Sequence, residues 1–411
     1  MIKYINKKLN TLPYCLISLS IVKKLFIFFL LINSYQLASA AKYKVNSADE
    51  LKNLMPNLLP GDEVIIANGK YINWAVEITC NGTKAKPIVF KAENVGSVIF
   101  YGETHRTIFK ITGHYITLSG LVFNQCILTK KEGKTAVLIE MSNTKNCIIT
   151  KCVFKQNNSK IQYSPLVIIA GNGFKNKVDQ CLFEQNIDVQ DIQVKITKES
   201  APQFSTISYN IFKNKPKVTW QNGNGGECVQ IGQDPILLGN MEANTLVSHN
   251  KFYNCDGENE IISNKSSKNT YLSNYFTECD GELVMRGGHD CIIKGNIFNS
   301  GTGGIRINGT GHIISNNKIK NIKTAIRLMY GMTKGKNETG FYVAASDCII
   351  SNNKITNAQN GILVGDNKNE DWTGKFDTKR YPSPVMQNVA PFNNKLNGNV
   401  FKNVKATEVI Q

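Results

Sequence analysis

Three stretches of the sequence share one short phrase: CIIKGNIF at 291–298, HIISNNKI at 312–319 and CIISNNKI at 348–355. Each phrase contains an apolar pair, small polar residues, an asparagine, one further residue, and then Phe or Ile. Variants of it recur along the chain, and their final residues are Phe123, Phe154, Phe183, Phe212, Phe252, Phe276, Phe298, Ile319, Ile355 and Phe401. The intervals between them range from 21 to 46 residues, with a floor of 21 to 24. A minimum interval that some repeats exceed by varying numbers of residues is typical of a repeating coil that carries loop insertions.

Each repeat alternates apolar and polar residues over a stretch too short for a helix, and Asn, Gly and Asp interrupt it. Short strands every twenty-odd residues predict an all-β fold, a single-stranded right-handed parallel β-helix. In seven repeats an asparagine precedes the final Phe or Ile by two positions: Asn210, Asn250, Asn274, Asn296, Asn317, Asn353 and Asn399. We expect these amides to stack as an internal ladder at a turn, which is a structural role.

The first forty residues have the features of a secretory signal peptide. Lysines precede an apolar run, LFIFFLLI at 25–32, and the small residues Ala38, Ser39 and Ala40 follow it. The run is too short to cross a bilayer, so we expect no stable membrane span. The sequence therefore predicts cleavage near Ala40, a β-helix domain at 41–411, and a secreted or periplasmic protein.

The chain is strongly basic, with 48 Lys and Arg against 31 Asp and Glu and a formal net charge of +17 over 411 residues. Five of the lysines lie in the predicted signal peptide, so the mature charge is about +12. This charge predicts an anionic partner, and export argues against nucleic acid. The eleven cysteines are scattered without a zinc-binding spacing and mostly adjoin apolar residues, which favours small buried side chains; disulfide pairing and oligomeric state stay open.

Four basic residues are spaced at about the length of one coil: Lys265, Arg286, Arg306 and Arg327, at intervals of 21, 20 and 21. Stacked strands lie about 4.8 Å apart, so this spacing predicts a column of four cations down one face. Such a column is repulsive unless an anionic polymer lies across it. The alternative is an accidental spacing on solvated turns.

An acidic pair stands just ahead of this column, in CDGENEIISNKS at 255–266. Glu258 and Glu260 are two positions apart, so on a strand both carboxylates project to the same side. Asn224, in the glycine-rich turn of NGNGGECVQIG at 222–232, can lend an amide oxygen to the same place. Oxygen ligands of this kind suit a hard cation, and Ca²⁺ is the expected one.

These residues carry a resemblance to polysaccharide lyase family 6, the alginate lyases and chondroitinase B, which are parallel β-helices. The matching phrases include NGGECVQIG, DGENEIISNKS and GELVMRGGH, and the resemblance runs from about Tyr43 to Ile362. It implies Asn224, Glu258 and Glu260 as Ca²⁺ ligands, Lys265 as the general base and Arg286 as the general acid. We expect substrate contacts at Arg306, Arg327 and His289.

Two positions depart from the family pattern. Gln230 stands where the family often has an arginine, which puts one substrate contact in doubt. In RGGH a second glycine, Gly288, precedes His289, whereas chondroitinase B has the histidine directly after the arginine. His289 is therefore equally well interpreted as an exposed turn residue.

The resemblance implies a Ca²⁺-assisted β-elimination on an acidic uronate polymer, which leaves 4,5-unsaturated uronate ends. We expect alginate as the substrate, since DGENEIISNKS is closer to the alginate lyases, with dermatan sulfate or chondroitin B cleavage as the alternative. A non-catalytic polysaccharide-binding β-helix is a second alternative. A glycoside hydrolase is a third, but it needs carboxylic acids as acid and base, and Glu258 and Glu260 are better used as metal ligands. Mannuronate or guluronate preference and endo or exo action stay open.

Overall fold

The repeated phrases form strands that pair with the matching strands of the neighbouring coils. Ile292 is in register with Ile313, which is in register with Ile349, and every one of these pairings is parallel. The computed structural model describes residues 40–131, 133–234, 241–336, 338 and 340–411, and residues 41–411 form one unit. Pairing from coil to coil in a parallel sense is the arrangement of a parallel β-helix, and the predicted fold class is confirmed.

One face of the β-helix is a sheet of 13 described strands. In chain order these strands are β1 (Lys42–Val45), β2 (Glu63–Ile66), β5 (Ile88–Ala92), β8 (Ile116–Ser119), β13 (Ile148–Thr150), β17 (Lys177–Asp179), β20 (Thr206–Ser208), β23 (Leu246–Ser248), β26 (Thr270–Leu272), β29 (Ile292–Lys294), β31 (Ile313–Ser315), β33 (Ile349–Ser351) and β37 (Lys395–Asn397). Their apolar side chains alternate inward, and they supply one wall of the core.

The remaining walls belong to a second sheet of 21 described strands. These strands are β3 (Gly69–Tyr71), β4 (Val76–Ile78), β6 (Val98–Thr104), β7 (Phe109–Ile111), β9 (Val122–Leu128), β12 (Ile139–Ser142), β14 (Val153–Lys155), β15 (Asn158–Ser159), β16 (Pro165–Ala170), β18 (Leu182–Glu184), β19 (Gln190–Val194), β21 (Ile211–Lys215), β22 (Val229–Ile231), β24 (Lys251–Cys255), β25 (Glu260–Asn264), β27 (Tyr275–Cys279), β28 (Glu282–Met285), β30 (Ile297–Ile307), β32 (Lys318–Met329), β34 (Lys354–Asp366) and β38 (Val400–Ile410).

Two short antiparallel hairpins lie outside these sheets: β10 (Lys130–Lys131) with β11 (Lys134–Thr135), and β35 (Glu370–Asp371) with β36 (Met386–Gln387). Near the start of the described chain, helix α1 (Ala48–Leu54) is followed by a 3₁₀ turn, Met55–Asn57. Ser47 caps α1 by accepting a hydrogen bond from the Glu50 N–H.

The predicted asparagine ladder is present and continuous. From Asn210 to Asn399, each side-chain amide donates to the side-chain oxygen of the next ladder asparagine at 2.9–3.0 Å. The residue before each ladder asparagine adopts a left-handed conformation, as at Tyr209 and His249. Glycine takes this conformation without steric cost at Gly295 and Gly398. The ladder therefore pairs buried amides at a sharp corner, and it is structural.

The phenylalanines that end the repeats stack inside the β-helix. From Phe123 to Phe298, successive rings have centroids 4.5–5.0 Å apart and are nearly parallel. These rings are at most 2% exposed. A repeat that places one aromatic ring at the same position of every coil thus produces a continuous apolar column.

The described cysteines are all free thiols, and all of them are buried except the partly exposed Cys80. This confirms the prediction that they are small core residues. Cys15 and the predicted signal peptide, apart from Ala40, lie outside the described residues. Within the described ranges, no helix is long and apolar enough to cross a membrane.

Candidate active site

The strand register places Lys265 beside Arg286. The Lys265 N–H donates to Ile231, one coil back, and the Arg286 N–H donates to Asn264. Since Asn264 is in register with Met285, the residues that follow them, Lys265 and Arg286, are neighbours in adjacent coils. The backbones of the two residues singled out for acid and base chemistry are therefore separated by about one strand spacing, from one coil to the next.

The single column of four cations predicted from the spacing is wrong. Arg306 is in register with Val284 and Arg327, two positions before the Lys265–Arg286 register. The cations therefore form two pairs. The sequence interval of 20 between Arg286 and Arg306 hid this shift, because the coil at this point is 22 residues long: Val284 is in register with Arg306.

Carboxylates neutralise the second pair of cations. Arg306 Nη2 donates to Glu260 at 2.8 Å, and Arg327 bonds Glu282 and, at 2.7 Å, Asp366. Opposite charges one or two coils away thus offset the repulsion that a bare column of cations would suffer.

Three carboxylates meet next to Lys265. One oxygen each from Glu227, Glu258 and Glu260 lies within 4.8 Å of the others. Glu227 and Glu260 are buried, and Glu258 is partly exposed. The sequence analysis found Glu258 and Glu260 but missed Glu227. Its position in the glycine-rich turn that holds Asn224, one coil earlier, was the available signal.

Each carboxylate is held by its own donors. The backbone N–H groups of Gly225 and Gly226 both donate to one oxygen of Glu258. Burial and the neighbouring charges of Glu227 and Glu260 raise the pKa of Glu258 well above its usual value. The Glu258 carboxyl therefore gains greatly from a cation placed at this cluster.

Glu260 has the opposite electrostatic environment. Burial disfavours its charge, but the cations of Arg306, Arg286 and Lys265 lower its pKa to about 2. Its side chain also accepts a hydrogen bond from Ser263 at 2.5 Å. Glu260 is thus ionised at neutral pH and links the acidic cluster to the cations.

Glu227 is held by two glutamines. Gln190 donates to one oxygen of Glu227 at 2.9 Å, and Gln230 donates to the other at 2.5 Å. Gln230 is the position at which the family often has an arginine, and here it orients a carboxylate. Gln193 extends the chain by donating to Gln230 at 2.8 Å.

Lys265 is only 7% exposed although it carries an amine. Burial and the charge of Arg286 lower its pKa, against the attraction of the nearby carboxylates. A lysine with a lowered pKa has more of the neutral amine that can accept a proton. Arg286 lies with its guanidinium carbon 5.1 Å from the ring centres of both Phe341 and Tyr342. Its Nε is buried and makes no hydrogen bond within the described part of the chain.

Two carboxylates of the cluster and the two basic residues line one cleft of about 1160 Å³. Its lining includes Asn224, Glu227, Glu258, Lys265 and Arg286. A cleft that places a buried base, a guanidinium and an acidic cluster together can bind an anionic chain and remove a proton from it.

The acidic cluster fits a metal ion with oxygen ligands. Glu227, Glu258 and Glu260 converge while the burial of two of them makes uncompensated charge costly. Asn224 is exposed in the turn ahead of Glu227 and lines the same cleft. These four residues are the candidates to hold the ion.

The sequence model of the chondroitinase B family matches residues 45–410. The chain belongs to this family. It is a polysaccharide lyase of family 6, and its substrates are anionic polysaccharides. A search of curated proteins found no match.

Solved structures agree with this assignment. A mannuronic acid specific family 6 polysaccharide lyase from human gut microbiota is similar, with a TM-score of 0.73 and 27% identity over 90% of this chain and 82% of that one. The family 6 alginate lyase AlyGC is similar at a TM-score of 0.70 and 25% identity, over 86% of this chain and 47% of that one. The lyase Pedsa3628 from Pseudopedobacter saltans, at 20% identity and a TM-score of 0.67 over 90% of this chain and 92% of that one, shares the fold.

In this family 6 lyase, the three residues expected to bind substrate lie outside the lining of the cleft. Arg306 and Arg327 are engaged in the ion pairs described above, although Arg306 Nε has no described hydrogen-bond partner. His289 is partly buried, and its Nδ1 is 2.8 Å from Asp290. Their role in substrate binding stays a prediction.

The structure adds cleft residues that the sequence analysis did not select. Lys195 lies in the Lys265 register two coils earlier, and Lys110 and Glu140 line the cleft beyond it. Phe341, Trp372 and Tyr381 line it on the side of Arg286. The aromatic residues come from insertions that lack the repeat, so the spacing argument could not find them.

Proposed function

We propose that the protein cleaves alginate by β-elimination and leaves 4,5-unsaturated uronate ends. The observation that carries this proposal is the buried Lys265 beside Arg286 and the acidic cluster at the floor of one cleft. The likeness to a lyase described as mannuronic acid specific supports alginate over other uronate polymers.

The cofactor in this proposal is Ca²⁺, held by Glu227, Glu258, Glu260 and Asn224. When bound, Ca²⁺ neutralises the uronate carboxylate and makes the proton on C5 more acidic. The chain's own residues do the rest. Glu260 stays ionised because of its neighbouring cations, and the Gly225 and Gly226 N–H groups fix the orientation of Glu258.

Lys265 is the proposed general base. Its neutral amine takes the C5 proton, and the electron pair of that C–H bond forms the double bond between C4 and C5 as the C4–O bond breaks. An ordinary lysine, with a pKa near 10.4, is mostly protonated at neutral pH. The lowered pKa of Lys265 therefore increases the fraction of enzyme that is ready to react.

Arg286 is the proposed general acid at the leaving oxygen. Burial opposes its charge, but the acidic groups around it, Tyr342 and Glu260 foremost, raise its pKa above the usual value. The guanidinium thus holds its proton until negative charge develops on the leaving oxygen. Because Arg286 lines the cleft, its guanidinium N–H groups on that side are the donors for that oxygen.

Dermatan sulfate is the second candidate substrate, because the matching family model is that of chondroitinase B. We test the two by incubating purified protein with polymannuronate, polyguluronate or dermatan sulfate in Ca²⁺ while following ultraviolet absorbance. Absorbance growth on either alginate block supports the proposal. Growth on dermatan sulfate alone contradicts it and favours the second candidate.

We also propose that the protein is exported and that the mature chain begins near Ala41. The lysines, the apolar run at 25–32 and the small residues at 38–40 support this. The intact mass of protein recovered from the medium or periplasm of expressing cells tests the cleavage site. A mass that retains residues 1–40 would contradict it.

A further inference from the structure

We propose that an aromatic wall closes one end of the cleft, so that the enzyme cleaves close to the end of a polyuronate chain and releases short products. The aromatic wall consists of Phe341, Tyr342, Trp372, Phe376 and Tyr381. This inference rests on the proposed β-elimination and adds the mode of action, which the family assignment leaves open.

The cleft is long on one side of the catalytic pair. Beyond Lys265, successive coils contribute Gln230, Gln193, Ile168, Glu140 and Lys110 to its lining. These residues follow one register through β22, β19, β16, β12 and β7. A second cavity of about 350 Å³ shares Lys110 with the cleft and continues it. This side extends over five coils, or about 24 Å at the spacing of parallel strands.

The cleft is short on the other side. Among the described residues that line it, Arg286 represents the next coil, and none comes from 287–336, 338 or 340. The lining continues directly into Phe341 and into Trp372, Lys375, Arg380 and Tyr381. Room on this side is therefore about one strand spacing, comparable to the length of one sugar ring.

The aromatic wall is packed against the catalytic arginine. Phe341 stacks on Phe376 with centroids 4.3 Å apart, and Tyr342 lies 5.1 Å from Trp372. Phe341 and Tyr342 are both under 10% exposed, and both contact the Arg286 guanidinium. The wall thus begins where the catalytic residues end.

Two insertions supply the wall, one between β32 and β33 and the other between β34 and β37, and hydrogen bonds hold them together. The Phe341 N–H donates to Ser383 Oγ at 2.8 Å, which joins the first insertion to the second. Trp372 Nε1 donates to Gln387 at 2.8 Å, and the buried Gln387 amide donates to the Tyr330 carbonyl at 2.8 Å. These hydrogen bonds therefore anchor the wall to the coil that ends at Met329 and fix its position at the end of the cleft.

The wall presents two cations to the cleft. Lys375 pairs with Glu370 at 3.0 Å. Arg380 is exposed, its guanidinium lies 5.0 Å from the Tyr381 ring centre, and it forms no salt bridge with any described residue. A free arginine at the closed end suits the carboxylate of the terminal uronate.

The test follows product size at the earliest time points, with whichever polyuronate gives ultraviolet absorbance. We expect unsaturated mono- to trisaccharides from the start while the viscosity of the polymer falls slowly. A rapid fall in viscosity with products of all lengths overturns this inference but leaves the β-elimination intact. Absence of the chromophore on every polymer instead removes the proposed function on which the inference rests.

Two variants make the test specific. Trp372→Ala with Tyr381→Ala opens the wall, and we expect longer early products and a faster loss of viscosity; unchanged short products in this folded variant contradict the proposal. Arg380→Ala should raise KM for short oligomers about three- to tenfold. Lys379→Ala, an exposed neighbour outside the cleft lining, is the matched control and should leave KM unchanged. Equal KM values for both variants contradict the assignment of Arg380.

Discussion

Replacing Glu258 with glutamine separates metal binding from folding. Its carboxylate lies beside those of Glu227 and Glu260, and burial with these two charges raises its pKa. The side-chain oxygen of glutamine can still accept the hydrogen bonds from Gly225 and Gly226. Glu258→Gln therefore keeps the local structure and removes one anionic ligand.

The size of the expected effect follows from binding linkage. Ca²⁺ at 100 times its Kd stabilises the folded state by about 2.7 kcal/mol. For a unit of about 370 residues, an unfolding entropy of about 2.1 cal/mol/K per residue amounts to about 0.8 kcal/mol/K. Ca²⁺ should thus raise the Tm of the unaltered protein by about 3 °C.

Differential scanning calorimetry in Ca²⁺ and in chelator measures this shift. For Glu258→Gln we expect a Ca²⁺ shift below about 1 °C and, in chelator, a Tm equal to or above that of the unaltered protein, because a repulsive buried charge is gone. Glu199→Gln, at an exposed acid away from the cluster, should keep the full shift. A full shift in Glu258→Gln, or none in the unaltered protein, would refute the assignment of the metal site.

Three further substitutions test the catalytic base, a buried histidine and the ladder. Lys265→Ala should lower kcat about 10²- to 10⁴-fold with the Tm nearly unchanged, as steady-state kinetics and calorimetry will show; retained turnover excludes Lys265 as the base. Burial lowers the pKa of His312 to about 4 from its ordinary value of 6.5, so its contribution to stability is complete above pH 6.5 and is lost as the pH falls toward 4, by about 3 kcal/mol. His312→Asn keeps an acceptor for the Cys291 N–H. It should weaken the pH dependence of the unfolding free energy, measured by urea denaturation, and an unchanged pH dependence contradicts its attribution to His312. Asn274→Ala removes two side-chain donors and an acceptor from the buried ladder and should cost about 3 kcal/mol, whereas the exposed Asn357→Gly should cost under about 0.5 kcal/mol; equal losses argue against the ladder as a source of stability.

The fold could be predicted from the sequence because its repeat is a local pattern. Ten repeats end in their own Phe or Ile and seven of them carry the ladder asparagine, such as Asn296 with Phe298, and stacking needs the same side chain at the same place in neighbouring coils. The burial of most cysteines was predictable for the same reason, since they adjoin apolar strand residues, whereas their free state was not.

The site was predictable only in part. Lys265, Arg286, Glu258 and Glu260 lie in uninterrupted repeats, so the resemblance and the spacing both selected them, and the structure brings them together. The predicted column of four cations is wrong because coils differ in length: the coil between Val284 and Arg306 has 22 residues, so the interval of 20 from Arg286 to Arg306 does not keep the register.

Features outside the repeat could not be found from spacing. The aromatic wall comes from two insertions whose partners, such as Phe341 and Phe376, are far apart in the chain and meet only through tertiary packing. Glu227 was accessible in principle, because its turn had already been singled out for Asn224. A single glutamate before an apolar strand carries no signal of its own until the neighbouring coil is placed beside it.

The most direct test of the central claim is a digestion of polymannuronate in heavy-oxygen water, followed by mass spectrometry of the products. β-Elimination breaks the C4–O bond without adding water, so we predict unsaturated ends and no heavy oxygen beyond ordinary exchange at the reducing end. Saturated products that carry one heavy oxygen at each new cleavage site would show hydrolysis and contradict the account.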